Sequence, residues 1–328
     1  MVHSENQKIS PWLVIIVLIC LTAILILTII LMKSGGPDQT NPFALDLSDY
    51  GKIDSTMIHY QRVTSINITR SKLHGIAVDH LDNFYICADS AVLKFNPDGK
   101  ELLSFALPNS ARTLAVGGDG TVFVAFANTV HQYGPEGLWL KEFLTLDDNS
   151  LITAIALDEN DIFLADARQK TVWRFGLNGR FLQQIDGGDS EQGRTGFVIP
   201  SPFFDLALDP THHLWVANPG RHLLEQYNTS GSLITSWGKT SADVQGFCGC
   251  CNPVHLALLP DGKFVTSEKG LVRVKVHSQN GQFESLVCDP KLFLPNSILD
   301  LATDSQGRIL VLDSDQSAVH IFTLNENN

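Results

Sequence analysis

The apolar and polar positions of this chain repeat in a pattern of short strands. Six segments, spaced roughly 40 to 50 residues apart, align with one another, and "GIAVDHLDNFYICADSAVLKFNPDGKELLSF" and "TAIALDENDIFLADARQKTVWRFGLNGRFLQQI" are two of them. Each begins with an apolar strand that ends near an aspartate, followed by a polar turn and a second apolar strand that ends in Ala-Asp, Ala-Asn or a similar pair. A third strand, a turn of Asn, Asp or Gly, and a fourth strand follow. The pattern predicts four strands in each repeat.

No helical periodicity separates these repeats, so the sequence predicts an all-β fold. Repeated four-stranded units form blades around a central axis, and six of them predict a six-bladed β-propeller. The last repeat lacks a clear fourth strand after "VHIFTLNENN", whereas "TMIHYQRVTSIN" precedes the first repeat as an unassigned strand. We therefore expect the N-terminal strand to complete the last blade, which removes the exposed sheet edges.

One uncharged apolar run precedes the repeats. Residues 11–32, "PWLVIIVLICLTAILILTIILM", match the length of about 20 helical residues that crosses a bilayer. No A-x-A cleavage site follows, and Ile19 before Cys20 is too large for a lipoprotein cleavage site, so the run predicts an uncleaved, single-pass transmembrane signal anchor. The predicted order is a flank at 1–10, the anchor at 11–32, a Gly- and Pro-containing linker at 33–56 and the propeller at 57–328.

The charges beside the apolar run do not by themselves orient it in the membrane. Lys8 and Lys33 flank the run almost symmetrically, so the positive-inside count is nearly balanced. A short flank with a large domain behind it favours a propeller outside the cytoplasm, either periplasmic or extracellular. The net charge of −12, without a Lys/Arg run, argues against nucleic acid as a partner. A protein or a small ligand on one propeller face is the expected partner.

The repeats resemble those of NHL-repeat β-propellers. The resemblance covers about residues 70–325 and rests on the first strand "GIAVD", the second-strand endings "LAD" and "VAN", and the turns "NPDGK" and "LNGR". It implies a six-bladed propeller. "FCGCCNP" followed by "PDGKFVTSEKG" is also similar to a pattern in membrane-associated or exported bacterial NHL-type proteins.

The stretch "FCGCCNP", residues 247–253, contains three of the six cysteines and is called the cysteine loop below. It connects blade four to blade five, on the face where the loops between blades and between second and third strands converge. Cys248, Cys250 and Cys251 are thiolate ligands at short spacing, so we expect them to bind a metal ion or an iron–sulfur cluster. The candidates for a further ligand are Cys288, His255 and Glu268.

Two other roles for the cysteine loop remain open. Cysteines outside the cytoplasm are usually oxidised, so Cys248 or Cys251 could pair with Cys288 as a structural disulfide. The thiols could also be redox-active. Adjacent Cys250 and Cys251 are expected not to join each other without strain.

Two function classes follow, and the sequence favours the first. The first is a binding module that holds a metal, a ligand or a protein on the face with the cysteine loop. The second is a metal-dependent lyase or hydrolase with its site at the propeller axis, similar to amidating lyases and calcium-dependent lactonase-like hydrolases. The inner strands contain no repeated histidines, and no G-x-S-x-G motif is present, so no catalytic residue is predicted.

Most of the other polar residues are expected to have structural roles in the core or in turns. Cys87 aligns with buried second-strand residues and is expected in the core. Asp79, Asp158, Asp209 and Asp304 end first strands, where carboxylates accept backbone hydrogen bonds in turns. His74 and Arg112 begin inner strands near the axis. At least half of the residues that end second strands are expected to cap turns; they are Asp89, Asn128, Asp166, Asn218, Glu268 and Asp313.

Overall fold

The computed structural model describes residues 11–33, 50–70, 72–191 and 193–325. The chain divides into two compact units, Met1–Asp46 and Leu47–Asn328. In the first unit, α1 (Pro11–Lys33) is an apolar helix, and its segment Pro11–Ile29 is long and apolar enough to cross a membrane. Most of the predicted linker at 33–56 lies outside the described residues.

The regular secondary structure of the second unit is β-strand; within its described part, helix is limited to the short 3-10 turns Ser55–Met57 and Pro290–Leu292. In chain order the strands are β1 (Tyr60–Asn67), β2 (Leu73–Val78), β3 (Phe84–Ala88), β4 (Ala91–Phe95), β5 (Glu101–Ala106), β6 (Thr113–Val116), β7 (Val122–Ala125), β8 (Thr129–Tyr133), β9 (Trp139–Thr145), β10 (Ile152–Leu157), β11 (Asp161–Asp166), β12 (Thr171–Gly176), β13 (Phe181–Ile185), β14 (Gly188–Asp189), β15 (Arg194–Thr195), β16 (Leu206–Leu208), β17 (Leu214–Asn218), β18 (Leu223–Tyr227), β19 (Leu233–Trp237), β20 (His255–Leu258), β21 (Phe264–Glu268), β22 (Arg273–His277), β23 (Phe283–Leu286), β24 (Leu299–Thr303), β25 (Ile309–Asp313) and β26 (Ala318–Leu324).

These strands form six four-stranded antiparallel sheets, which confirms the six-bladed β-propeller. Blades 1 to 5 are β2–β5, β6–β9, β10–β13, β16–β19 and β20–β23, each in simple up-and-down order, while β14 and β15 form a small separate hairpin. The inner strands β2, β6, β10, β16, β20 and β24 contact one another in turn around the axis, and β24 contacts β2 again. The ring is therefore closed.

Blade 6 combines both ends of the propeller. Its sheet has the order β24-β25-β26-β1, so the N-terminal strand supplies the outermost position. The antiparallel register runs from Tyr60 opposite Leu324 to Asn67 opposite Ala318. The expected closure by the N-terminal strand is confirmed, and it pairs the edge of β26 that would otherwise be free.

The core lies between the blades. Six apolar clusters fill the six junctions between neighbouring blades; one of them packs Phe84 and Ile86 of blade 1 against Leu310 and Leu312 of blade 6. The second strands β3, β11, β17, β21 and β25 are buried along their whole length because a blade covers each side. Each buried large apolar side chain contributes about 1.5–3 kcal/mol.

The turns follow the predicted chemistry. The carboxylates that end the first strands accept the backbone N–H two residues later; these carboxylates belong to Asp79, Asp158, Asp209 and Asp304. In the turn after β4, Gly99 has φ +85° and donates its N–H to the carbonyl of Asn96. Glycine tolerates this left-handed conformation without steric cost. Tight turns on this side leave the opposite face to the longer loops between blades.

Candidate functional site

Three ionisable side chains meet where the inner strands of blades 4, 5 and 6 begin. Asp205 directly precedes β16, His255 opens β20, and Asp300 is the second residue of β24. They occupy one column of the aligned repeats, because "DLALD", "HLALL" and "DLATD" are in register. Nδ1 of His255 lies 3.3 Å from Asp205 Oδ2 and 3.2 Å from Asp300 Oδ1. These three residues are called the axial triad below.

Backbone hydrogen bonds from neighbouring blades hold both carboxylates of the axial triad. Asp205 Oδ2 accepts the N–H of Leu256 in blade 5 at 2.8 Å, and Asp300 Oδ2 accepts the N–H of Ile76 in blade 1 at 3.0 Å. The other oxygen of each carboxylate accepts the N–H of the residue that follows it in the chain. Because both acids are fixed in this way, they also fix the His255 ring between them.

His255 of the axial triad is protonated at neutral pH. Burial by itself lowers the pKa of His255, but the negative charges of Asp300 and Asp205 outweigh burial and raise the pKa to about 9. Burial raises the pKa of Asp300, and the imidazolium only partly offsets that rise. Nε2 of His255 has no hydrogen-bond partner within the described ranges, so it remains as a charged N–H donor.

A cavity of about 610 Å³ lies at this end of the axis, and a narrower space of about 200 Å³ continues along the inner strands. His255 and Asp300 line both spaces, together with His74, Arg112 and Thr153, so these residues stand where the two spaces meet. The larger volume is within the range of about 300–1,000 Å³ that is usual for small-molecule sites. His255 and Asp300 of the axial triad therefore line a ligand-sized cavity.

The cavity wall carries cations and apolar groups in addition to the carboxylates of Asp300 and Asp315. Lys72 and Arg112 are exposed and have no ion-pair partner in the part of the chain that is described. His74 is held by Asp89, 3.0 Å from its Nε2. Phe203, Phe204 and Ile298 supply an apolar side. This lining suits a ligand with an anionic group and an apolar body.

The axial triad also contains the ligand types of a metal site. Among the residues that the structure describes, it is the one group of three His, Cys, Asp or Glu ligand atoms that lie within 4.8 Å of one another. Coordination through Nδ1 requires a neutral imidazole, so a metal ion would have to displace the proton from His255. The proton and a divalent cation thus compete for the same position between the two carboxylates.

The structure brings two of the three sulfurs in the cysteine loop together. Cys250 Sγ lies 3.0 Å from Cys251 Sγ; Cys250 is exposed, whereas Cys251 is 4% exposed. Beside Cys251, Lys269 Nζ lies 3.5 Å from Ser201 Oγ and 4.8 Å from the centre of the Phe203 ring. Phe203 lines the axial cavity, so the cysteine loop and the cavity share a wall.

The two neighbouring thiols have opposite pKa shifts. Burial acts to raise the pKa of Cys251, but hydrogen bonds with Ser201 and Cys250 and the charge of Lys269 outweigh burial and lower it. The hydrogen bond to Cys251 and its negative charge raise the pKa of Cys250. Cys251 is therefore the thiol of the pair that ionises first.

A buried ion pair holds the backbone of the cysteine loop and of the residues just before it. Lys275 Nζ lies 2.6 Å from Glu268 Oε1, and neither side chain has any exposed surface. Lys275 also donates to the carbonyl oxygens of Gly246 at 2.6 Å and Val244 at 3.3 Å, and Glu268 Oε2 accepts the N–H of Cys248 at 3.0 Å. Burial lowers the pKa of Lys275, although Glu268 opposes that effect. Glu268, a candidate metal ligand, is thus engaged in holding the loop.

The remaining candidate ligands lie in other surroundings. Cys288 is buried in the apolar cluster between blades 5 and 6, where burial raises its pKa to about 12. Cys248 is half-buried, and all six cysteines are free thiols. His255 belongs to the axial triad. Metal binding by Cys248, Cys250 and Cys251 stays a prediction, and its proposed further ligands are not gathered around them in one group of close ligand atoms among the described residues.

Other predicted positions have structural roles. Cys87 is fully buried in β3, as expected. Asp166 accepts the backbone N–H groups of Leu151, Arg168 and Gln169. Asn218 and Asp313 also accept backbone N–H groups of loops, whereas Asn128 Nδ2 donates to the carbonyl oxygen of Leu146. These contacts explain the repetition of acids and amides at these ends as loop capping.

Sequence reasoning placed His255 near the axis but missed Asp205 and Asp300. The signal was present in the aligned repeats, since all three occupy the first position of the inner-strand motif. The acids at the ends of second strands cap turns. Asp205 and Asp300, which stand in the inner-strand column only in blades 4 and 6, face His255 instead.

No protein family model matches this chain, and no curated protein matches it. Solved structures match its fold. A catalytically inactive histidine-to-alanine variant of virginiamycin B lyase from Staphylococcus aureus, with quinupristin, is 16% identical with a TM-score of 0.58, over 81% of this chain and 100% of that one. A protein of unknown function from Bacteroides thetaiotaomicron is 15% identical with a TM-score of 0.60, over 81% and 72%. The WD40 propeller domain of Doa1 is 17% identical with a TM-score of 0.51, over 78% and 80%. These likenesses establish a β-propeller fold.

Proposed function

We propose that this protein is a membrane-anchored binding protein whose β-propeller takes a small organic anion into the axial cavity. The observation that supports this function is the position of His255, whose Nδ1 lies between two carboxylates while its ring lines the cavity. A charged N–H donor that is held rigidly at the floor of a cavity suits a carboxylate, because charge-assisted hydrogen bonds are the stronger class. The ring needs no rearrangement when the ligand arrives.

The rest of the lining supports the same class of ligand. Arg112 offers a planar guanidinium for bidentate contact with a carboxylate, and Lys72 adds a second exposed cation at the cavity wall. Phe203 and Phe204 provide apolar surface for the rest of the molecule. An anion with an aromatic or aliphatic body can contact both the cations and the apolar side chains of the wall. A neutral ligand of the same shape would leave the cations without a partner.

The proposal includes the membrane assignment. The apolar helix Pro11–Lys33 is the proposed single-pass anchor, and the large domain that follows a short flank supports a propeller outside the cytoplasm. The resemblance of the repeats to NHL propellers is consistent with a binding role. Protease added to intact cells should degrade the propeller, and full protection until the membrane is permeabilised would reverse this orientation.

The binding function is tested with the full-length protein in detergent. Phenylacetate, benzoate and adipate are compared with the matched amides phenylacetamide, benzamide and adipamide by thermal unfolding. A carboxylate at 100 times its Kd should stabilise the protein by about 2.7 kcal/mol, and the amides should have little effect. If no carboxylate raises the melting temperature more than its amide does, binding of this ligand class is rejected.

Variants then locate the binding site. His255→Gln and Arg112→Gln each remove a charged donor, so each should weaken binding by about ten- to a hundred-fold, which corresponds to the roughly 1.5–3 kcal/mol of a charged hydrogen bond. Arg180→Gln is the matched control, since it removes an exposed cation from a turn on the opposite face. Equal weakening in all three variants would indicate a general charge effect and would reject the axial site.

A second candidate function is a metal-dependent lyase or hydrolase that uses the axial triad. It is supported by the 4.8 Å grouping of Asp205, His255 and Asp300, which supplies one nitrogen and two carboxylate ligands. In that case the purified protein would contain about one equivalent of divalent metal, which Asp300→Asn would remove. A metal-free protein that binds carboxylates would favour the binding function instead.

A further inference from the structure

The exposed sulfur of Cys250 and the buried sulfur of Cys251 lie 3.0 Å apart, only about 1 Å more than a disulfide bond length. We propose that these adjacent cysteines form a redox-active pair that is oxidised to a Cys250–Cys251 disulfide by exchange with an external organic disulfide. This site is separate from the axial triad and does not depend on the proposed ligand.

The two thiols differ in the way that such an exchange requires. Cys250 is exposed and is accessible to a disulfide from solution, whereas Cys251 is 4% exposed and lies beside Lys269 and Ser201. Lys269 Nζ approaches Ser201 Oγ at 3.5 Å and the Phe203 ring at 4.8 Å, so its ammonium is held on the Cys251 side of the loop. Cys250 is the accessible thiol, and Cys251 is the thiol that resolves the intermediate.

The exchange proceeds in two displacements. Cys250 passes its proton to the neighbouring Cys251 thiolate, 3.0 Å away, and the Cys250 thiolate attacks one sulfur of the external disulfide R–S–S–R. The bond in the reagent breaks, one R–S⁻ leaves, and Cys250 carries a mixed disulfide. Cys251 then gives this proton to the released R–S⁻, and its thiolate attacks Cys250 Sγ, forms the Cys250–Cys251 bond and releases the second R–S⁻. Two protein thiols are oxidised, one disulfide is reduced to two thiols, and the two protons end on the released thiolates.

Covalent geometry makes this bond a labile one. Neighbouring Cα atoms are about 3.8 Å apart across a trans peptide, which is shorter than the roughly 4.4–6.8 Å of ordinary disulfides. A disulfide between neighbours is therefore strained, and strained, exposed disulfides are reduced more readily than structural ones. The expected strain argues against a permanent staple, but it is the property that a reversible redox pair needs.

The surroundings of the loop favour redox chemistry over a closed metal site. Glu268, the carboxylate that reaches the loop, forms an ion pair with Lys275 and accepts the N–H of Cys248. Cys288 is buried in the apolar cluster between blades 5 and 6. Two sulfurs thus remain at contact distance, which is the number that a disulfide uses, whereas a structural tetrahedral metal site uses four ligands.

The test uses the full-length protein in detergent, reduced and then exposed to glutathione disulfide. Free thiols are alkylated and the tryptic peptide with the cysteine loop is weighed. We expect one alkylated thiol, that of Cys248, and a peptide lighter by two hydrogen atoms because of a Cys250–Cys251 disulfide. Dithiothreitol should restore three alkylated thiols. A folded protein that keeps all three thiols free, or that joins Cys248 or Cys288 to the pair, would overturn the proposal.

Single variants separate the two roles. Cys251→Ser should stop the reaction at Cys250 as a stable mixed disulfide with glutathione, because the resolving thiol is missing. Cys250→Ser should leave Cys251 largely unmodified, since that sulfur is buried. Cys248→Ser is the matched control from the same loop and should still form the disulfide. Intrinsic tryptophan fluorescence confirms folding of each variant, and the peptide mass of the unmodified protein decides the proposal independently if a variant does not fold.

Discussion

Replacing Lys275 with methionine tests the buried ion pair beneath the cysteine loop. Lys275 and Glu268 have no exposed side-chain surface and are 2.6 Å apart. Lys275→Met fills much of the same volume but leaves the Glu268 carboxylate buried without its counter-ion and removes the donor to the carbonyls of Gly246 and Val244. Breaking a buried ion pair from one side costs about 3–5 kcal/mol, because an uncompensated charge remains inside.

This cost translates into a measurable shift. At roughly 2–4 °C for each kcal/mol in a domain of this size, Lys275→Met should lower the melting temperature by about 6–20 °C. The full-length protein in detergent is unfolded by heat and by urea, and tryptophan fluorescence reports the transition. Lys263→Met is the matched control: Lys263 pairs with Glu284 at 3.1 Å, but both are partly exposed, so the change should remain within about 1 kcal/mol.

A second substitution identifies the cause of the loss. Lys275→Met combined with Glu268→Gln removes the orphaned charge and keeps an oxygen for the Cys248 N–H, so the double variant should regain most of the stability. A single variant within about 1 kcal/mol of the parent would refute the burial of the pair. A double variant as unstable as the single one would show that the charge is not the reason.

Three further predictions concern the axis, the closure and the core. Because the acids of the axial triad raise the pKa of His255 from 6.5 to about 9, its contribution to stability is fully present below pH 6.5 and is lost as the pH rises through about 9. The melting temperature should therefore fall over that window more in the parent than in His255→Gln, and parallel curves would exclude this role. Deleting β1 should produce oligomers in sedimentation experiments, because the edge of β26 is left open, and an added peptide with the β1 sequence should restore the monomer; a monomeric deletion variant would contradict closure by β1. Cys87→Ser should cost about 1 kcal/mol or more in urea unfolding and leave oxidation of the cysteine loop unchanged, whereas an unchanged stability would argue against tight packing there.

The sequence was sufficient for the blades because alternation and turn residues reflect local backbone chemistry. The closing strand was also predictable, because the last repeat lacks a fourth strand and an unassigned strand precedes the first repeat. Sequence spacing alone does not determine which side chains of the inner strands face the axial cavity. His74 and Thr153 lie where β-bulges shift the register of β2 and β10, so a simple alignment cannot say which side chain at those positions faces the cavity.

The cysteine loop illustrates a second limit. Its thiols were evident, but the approach of Cys250 to Cys251 depends on contacts with distant parts of the chain. Glu268 binds the N–H of Cys248, and Asn252 bonds to the backbone of Lys269. These partners come from the next blade and no local pattern in the loop specifies them. The sequence therefore indicated which residues carry the chemistry, whereas the tertiary contacts determine which two of them meet.

The closure of blade 6 also sets an order of events during synthesis. β1 is made first, yet its partner β26 is made last, and Tyr60 and Leu324 are paired across roughly 260 residues. At about 5–20 residues per second, the ribosome needs on the order of 10–50 s to supply that partner. Of the eight residues of β1, Tyr60 alone is buried in the finished blade. Before β26 is made, the unpaired β1 therefore exposes little apolar surface that could associate with other nascent chains. A chain released before β26 emerges would have five complete blades and an unpaired β1. Its propeller ring would be open, and chaperones and proteases would act on that open form.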